Sequence, residues 1–485
     1  MQALLAGLPL LVVLAAMALL KWRAALAGAA GLAVASAVIW WMGRFEGSLL
    51  AGVAMEAASS TATILWIILP ALAIYELQAR VGAFDRFRQA LAQISDDRAV
   101  QALLIAWFFG LFMEGAAGFG TPVALAAPLL VGLGFTPIRA VALALLGHAG
   151  GVSFGAVGTP ALAQIALLDL PATALAGWTM LLHLIPMILL ALAVMRLAQE
   201  GRLVWAQIRL ALLAVVCFTL PATALAWLTG PELTTLGGAL LGGALFVAVI
   251  RPKGTQPRAE WQLADLLPYM LILVLVLLTR LAAPVQTALS ELWLGWSWRD
   301  YSGGLAPLYH PGTLLLLGLV LAASLTARRA ALGPALRAAL RRLAPVALAL
   351  FVMLVLARLM VHGGLIAQAA DAAAQAGVFW PILAPLIGAL GTFVSGSATA
   401  SNILFTEFQA ATARSLDLSL LLMAAAQGVG AAIGNAIAPH NIIAGTATVG
   451  LTGRDGEVLQ HTLVPALAYA LCAGGIVTML VAWGL

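Results

Sequence analysis

Apolar stretches near 20 residues long recur along the whole chain, separated by short turns that hold most of the charge. A helix rises 1.5 Å per residue, so about 20 apolar residues cross the roughly 30 Å of hydrocarbon in a bilayer. In the first half, spans fall near 3 to 20, 24 to 43, 49 to 76, 100 to 113, 173 to 195, 207 to 229 and 233 to 250. In the second they fall near 263 to 281, 313 to 326, 343 to 361, 379 to 394 and 462 to 484. Two further stretches, 114 to 170 and 395 to 450, are apolar but crowded with Gly, Pro, Ser, Thr and Asn, and read as broken or re-entrant helices. The pattern predicts an all-α polytopic membrane protein of about 12 to 14 transmembrane segments.

Composition agrees: the 485 residues are 63% hydrophobic and 9% charged, with a mean hydropathy of +1.06. That lies outside soluble globular usage and leaves no soluble domain over. The first apolar stretch reads as a span, not a removable signal peptide. Cys217 and Cys472 both sit in apolar stretches and imply neither a disulfide framework nor a metal site.

The net charge of +5 reflects topology, not a nucleic-acid partner. Basic residues gather in five groups: Lys21 and Arg23; Arg80, Arg86, Arg88 and Arg98; Arg196 and Arg202; Arg251, Lys253 and Arg258; and Arg328, Arg329, Arg337, Arg341 and Arg342. Placing all five in the cytoplasm lets the spans alternate between them. The loop from 282 to 312 is then external, with Trp293, Trp296, Trp298 and Tyr301 at headgroup level, and 81 to 99 reads as a cytoplasmic surface helix.

At a shift of 281 residues Gly110 falls on Gly391, Phe112 on Phe393, Gly115 on Gly396 and Gly147 on Gly428. The hydropathy follows the same shift, and the charge assignment gives corresponding spans opposite directions. Two inverted repeats are therefore expected, 1 to 250 and 251 to 485, each with one broken region. Paired Gly/Pro-interrupted segments point to a secondary transporter with its site near the bilayer midplane. The amide N–H groups at broken helix ends favour a small anion. Glycines in "LGGALLGGAL" read instead as close helix packing.

The first broken region opens on "MEGAAGFGTP". A carboxyl inside the membrane is costly when ionised and faces a cavity or a partner, so Glu114 is a candidate for proton coupling, with a protonated structural carboxyl as the alternative. Gly118, Gly120, Thr121, Ser153 and Thr159 in this region, and Ser395, Ser397, Thr399, Ser401, Asn402 and Asn441 in the second, offer donors for a carboxylate and acceptors for a hydroxyl. The competing reading has each hydroxyl bonding its own backbone. His148 and His440 lie in corresponding regions as substrate donors, proton relays or satisfied structural histidines. His183, His310, His362 and His461 read as structural or interfacial. Arg139, Arg280 and Arg358 fall near span ends and read as snorkelling to the headgroups. Glu76 is one helical turn from Arg80, Glu56 is a weaker functional candidate, and Asp417 reads as a helix N-terminal cap or dipole partner.

These motifs carry a resemblance. EGAAGFG-x-P, then GLGF-x-P and FGA-x-G-x-P, resemble the lactate permease family, as do Ser395 to Asn402, Ile437 to Pro439 and Thr452 to Asp455 in the second half. The likeness runs from about 50 to 465, with the Glu114 motif its most specific part. It implies uptake of lactate, glycolate or a similar short 2-hydroxymonocarboxylate with a proton across the inner (cytoplasmic) membrane. One departure stands out: where the family often has an acid in its second motif, this chain has Ala398. Either the proton is handled elsewhere, with Glu114 and Glu407 as the proton-coupling candidates, or the coupling differs.

Sodium coupling or another organic anion is the alternative within transporters. A membrane-embedded enzyme is the weaker rival, since the chain has no HExxH, no paired-aspartate metal motif and no Walker-A loop. No cofactor is expected. The expected partners are a small carboxylate, a proton and membrane lipid, with a homodimer by analogy to other transporters built on paired hairpins.

Overall fold

The computed structural model describes residues 2–118, 120–199, 203–250, 262–451 and 453–484. Arg202, Arg251, Lys253, Arg258, Phe119 and Thr452, and the side chain of Arg88, lie outside the described residues. Among the described residues 11 helices are long and apolar enough to cross a membrane, or up to 12 when the bent pair Pro137–Ala149 and Val152–Leu168 counts as one span. Three shorter apolar helices, Leu5–Ala18, Thr121–Gly132 and Pro311–Leu325, accompany them.

The 281-residue shift extends to the helix bounds. Adding 281 to Leu49–Arg80 gives 330 to 361, against an observed Arg329–His362. The same shift carries Ala83–Ala92 to 364 to 373, against Leu365–Ala373, and Ala172–Gln199 to 453 to 480, against Asp455–Ala482. Between the two series lie Trp205–Thr229, Pro231–Ile250 and Leu263–Leu281. Counterparts also pack reciprocally: Thr121–Gly132 lies against Pro439–Thr448, and their counterparts Ala398–Ser415 and Gly155–Leu168 lie against each other.

Both broken regions begin with a helical hairpin. Arg98–Ala116 starts on an Asp97 cap, whose side chain accepts the Ala99 N–H at 2.7 Å, and the chain turns after it at Ala117, Gly118 and Gly120. Gly118 and Gly120 adopt φ of 57° and 78° there, a left-handed turn that costs glycine little. Thr121–Gly132 then folds back against the first arm. Arg98 closes the open end by donating to the Gly134 carbonyl at 3.0 Å. In the second half Trp380–Ser395 and Ala398–Ser415 form the equivalent hairpin about Gly396, φ 69°.

Small residues bring the arms close to their neighbours. A Cβ at Gly147 would stand 2.2 Å from the Ala106 carbonyl oxygen, and one at Gly430, 1.9 Å from that of Pro385. Gly237, Gly238 and Gly242 of Pro231–Ile250 pack likewise on Trp205–Thr229, while Gly243 faces Phe108.

The segment 81 to 99 contains the amphipathic helix Ala83–Ala92. Arg86 and Arg328 both grip Asp265, at 2.7 and 2.6 Å, while the Gln78 side chain donates to the Asp265 carbonyl. This clamp joins Leu49–Arg80, Ala83–Ala92, Leu263–Leu281 and the start of Arg329–His362. Glu76 pairs with Arg80 at 3.7 Å as expected, and more closely with Arg342 at 3.0 Å. The loop from 282 to 312 holds a helix, Ala283–Ser290, and an antiparallel hairpin of Leu294–Trp298 with Tyr301–Leu305. Asp417 is not the cap of Leu420–Gly434: it stands outside the helix at φ 53°, and Ser419 accepts the Leu422 N–H at 3.3 Å.

Removing one partner of a buried ion cluster strands the others, so Asp265→Asn is predicted to destabilise the protein by about 3 kcal/mol. Thermal unfolding in detergent checks this; an unchanged midpoint would mean that the clamp contributes nothing.

Candidate functional site

The broken backbones meet. Gly120, at the N-terminus of Thr121–Gly132, faces Asn441 in the first turn of Pro439–Thr448; a Cβ on Gly120 would lie 4.0 Å from Asn441 Oδ1. The Asn441 amide donates to the carbonyls of Asn435, at 3.2 Å, and Gly396, at 3.5 Å. Gly396 immediately precedes Ser397, whose side chain caps Ala398–Ser415 by accepting the Ala400 N–H at 3.3 Å. A Cβ on Gly396 would be 2.9 Å from that of His440. Three helix N-termini thus converge, from both halves of the chain, and the positive ends of their dipoles favour an anion. Thr121 is buried and donates to the Gly118 carbonyl at 2.7 Å, whereas His440 is exposed.

Glu114 adjoins this junction. It is 4% exposed, with Oε2 3.9 Å from His148 Nε2. Nδ1 of His148 lies 2.6 Å from the Ala144 carbonyl, so Nδ1 carries a proton and Nε2 accepts in the neutral ring. The Asn435 side chain also hydrogen-bonds His148 and so connects it to Asn441. Against the other face of the carboxyl, Ala156, Val157 and Gly158 run consecutively through left-handed backbone, φ 43°, 56° and 84°. Such strain in non-glycine residues concentrates at functional sites. Gly155 is required here by contact: a Cβ would stand 2.0 Å from Glu114 Oε1.

Other predicted residues are engaged by protein. Ser153 donates to the Gly428 carbonyl at 3.0 Å and takes a hydrogen bond from His183 Nε2 at 2.8 Å, while Tyr469 bonds His183 Nδ1. Ser395 bonds the Gly391 carbonyl at 2.7 Å, Ser401 that of Gly388 at 2.8 Å, and Asn402 that of Pro160 at 3.0 Å across the halves. Thr159 bonds the Ala156 carbonyl at 2.6 Å, and Thr399 is buried in the first turn of its helix. Ala398 packs with Val152, Ala431 and Ala432, an apolar nest where the resemblance leads one to expect an acid.

Arg280 and Arg358 do not snorkel. Arg280 pairs with Glu232 at 2.9 Å and stacks over Tyr309, and Arg358 lies between Glu407 at 3.4 Å and Glu56 at 3.8 Å. Glu407 is therefore away from the Glu114 junction. Sequence reasoning also missed Asn435 and Gly155; the flanking Gly, Asn and Pro of "GNAIAPHN" were the signal available for Asn435.

A polytopic helical bundle with paired hairpins fits the membrane permeases, and the comparisons with known proteins define the class as a permease. The chain belongs to the L-lactate permease family, whose model matches residues 2–290 and 304–483. It is 28% identical to the glycolate permease GlcA of Escherichia coli (strain K12), over 87% of this chain and 84% of that one. It is 30% identical to the L-lactate permease of Streptococcus iniae, over 87% and 93%. In fold it resembles the YdaH transporter of Alcanivorax borkumensis, with a TM-score of 0.52 at 15% identity over 90% of this chain and 88% of that one. MtrF of Neisseria gonorrhoeae is similar at a TM-score of 0.50 and 16% identity, over 89% and 83%.

Gly155→Ala is predicted to displace Glu114 and abolish uptake of the family's substrates. Gly475→Ala, where nothing lies within 4 Å of the added Cβ, should leave uptake intact. Equal activity of the two variants, measured at matched protein levels, would contradict the packing role assigned to Gly155.

Proposed function

We propose that the protein imports lactate, glycolate or a similar short 2-hydroxymonocarboxylate by proton symport across the cytoplasmic membrane. Family membership and the names of the two relatives support the substrate class. The observation that carries the reading is the meeting of three helix N-termini beside a buried carboxyl–imidazole pair.

A carboxylate at the junction of Gly120, Ser397 and Asn441 lies at the positive ends of three helix dipoles and accepts from first-turn backbone N–H groups. Its 2-hydroxyl is short enough to reach the polar rim at Thr121 or His440. Burying that negative charge alone is costly. One added proton offsets it: with the substrate absent Glu114 is a carboxylate beside the Nδ1-protonated ring of His148, and with the substrate present Glu114 is the acid, so the net charge of the site does not change. Neither partner then crosses without the other. Because Ala398 is apolar, the pair in the first half carries this task without an acid opposite.

The recurring helix series are read as inverted repeats, with the two hairpins moving against the long helices Leu49–Arg80 and Arg329–His362. Reciprocal packing of counterparts supports the pseudo-symmetry.

Proteoliposomes carrying Glu114→Gln are predicted to lose proton-driven lactate accumulation while keeping lactate–lactate exchange at a rate within about tenfold of wild type, since an amide preserves packing but cannot take up the proton. Undiminished accumulation by the variant removes Glu114 from coupling. Accumulation by the wild type under a sodium gradient but not a proton gradient overturns the symport reading.

A further inference from the structure

A cavity of about 1160 Å³ lies beneath the Leu294–Leu305 hairpin, at the end of the molecule that the basic loops place outside the cytoplasm. Ser59, Thr63, Trp296 and Arg358 stand in its wall. Arg358 ties this space to both broken regions: its Nη2 donates to the Ala166 carbonyl at 2.9 Å, near the end of Gly155–Leu168, and its Nη1 to Glu407 of Ala398–Ser415 at 3.4 Å.

Its geometry contrasts with the Asp265 clamp. There the guanidinium–carboxylate distances are 2.6 to 2.7 Å, the length of tight charge-assisted bonds. Around Arg358 the two carboxylates stand at 3.4 and 3.8 Å, and its buried Nε has no hydrogen-bond partner among the described residues. A guanidinium presents five N–H groups in a fork shaped for a carboxylate. This one is held by carboxylates that do not fill the fork.

We infer that Arg358 anchors the carboxylate of an outer substrate site in this cavity. The inference rests on the carboxylate-uptake reading above and extends it to the substrate's point of entry. Glu56 also accepts from Ser302 N–H at 3.4 Å and lies 3.0 Å from His362 Nε2. Asp169 stands elsewhere in the cavity wall, and Arg414 lies further along Ala398–Ser415. With Glu56 and Glu407 ionised and His362 neutral, the two carboxylates and one guanidinium carry one net negative charge, which opposes an anion. A proton from the outer solution, placed on either glutamate, frees one side of Arg358 for the substrate carboxylate. Net charge is unchanged by the paired arrival, so proton and anion enter the same site together.

The test uses the full chain in proteoliposomes. In Arg358→Lys, a point charge replaces the fork, and the KM for lactate is predicted to rise about tenfold with kcat nearly retained. A second readout is direct. Ser59→Cys, in a background with Cys217 and Cys472 replaced by alanine, is labelled from outside with an impermeant thiol reagent. Lactate should slow labelling when Arg358 is present, and this protection should be lost in Arg358→Gln even if that variant transports nothing. An unchanged KM in Arg358→Lys, or protection that survives Arg358→Gln, overturns the outer site while leaving carboxylate uptake standing. Absence of both lactate uptake and protection with Arg358 intact defeats the uptake reading and the inference with it.

Discussion

Backbone N–H and C=O groups cannot be left bare in hydrocarbon, and this constraint organises the molecule. The chain interrupts its helices at Ala117–Gly118, Gly150–Gly158, Gly396–Ser397 and Asn435–Ala438, and apart from the exposed start of Pro439–Thr448 the residues at these breaks are buried or half-buried in protein. Each half encloses the other's. Asn402 satisfies Pro160 and Ser153 satisfies Gly428 across the halves, while Asn441 spans Asn435 and Gly396 within the second. The strained backbone at Ala156 and Val157 persists because Glu114, Gly118 and Pro231 pack about that segment. The anion-favouring junction is a consequence of this mutual enclosure: helix N-termini brought together to exclude lipid also bring their N–H groups together.

Charge is distributed by the same logic. The Asp265 cluster is tight, braces four helices and leaves the carboxylate little freedom. The Glu114–His148 pair, 3.9 Å apart, has among the described residues no ion-pair partner beyond itself with which to balance an incoming anion. Arg358 lies between these extremes, buried yet loosely held. A fixed ion pair supports the scaffold, whereas groups whose charge state answers to a ligand are suited to coupling.

Much of this was legible in the sequence. Four matched residues at a shift of 281 were enough to align helices whose bounds then recur along both series. Glycine density marked the breaks because small residues and irregular backbone are needed at the same places, and Glu76 found Arg80 because the pair is local. What was hidden is what long-range contact decides. Arg280 meets Glu232 at a separation of 48 residues and Arg358 meets Glu407 at 49, so proximity to a span end was a poor guide to either. The hydroxyls of Ser153 and Ser401 looked available for substrate, but tertiary packing turns them toward carbonyls. Asp417 lost the capping position to Ser419 because the chain turns through a left-handed residue before the helix begins.

The central claim is that a buried anion and one proton enter the junction together. Its most direct measure is the number of protons taken up per lactate, read from an interior pH dye in proteoliposomes alongside labelled lactate, with the membrane potential set by potassium and valinomycin. Electroneutral symport predicts one proton per lactate and an uptake rate indifferent to the imposed potential. Lactate entry that follows the potential without acidifying the interior would contradict it.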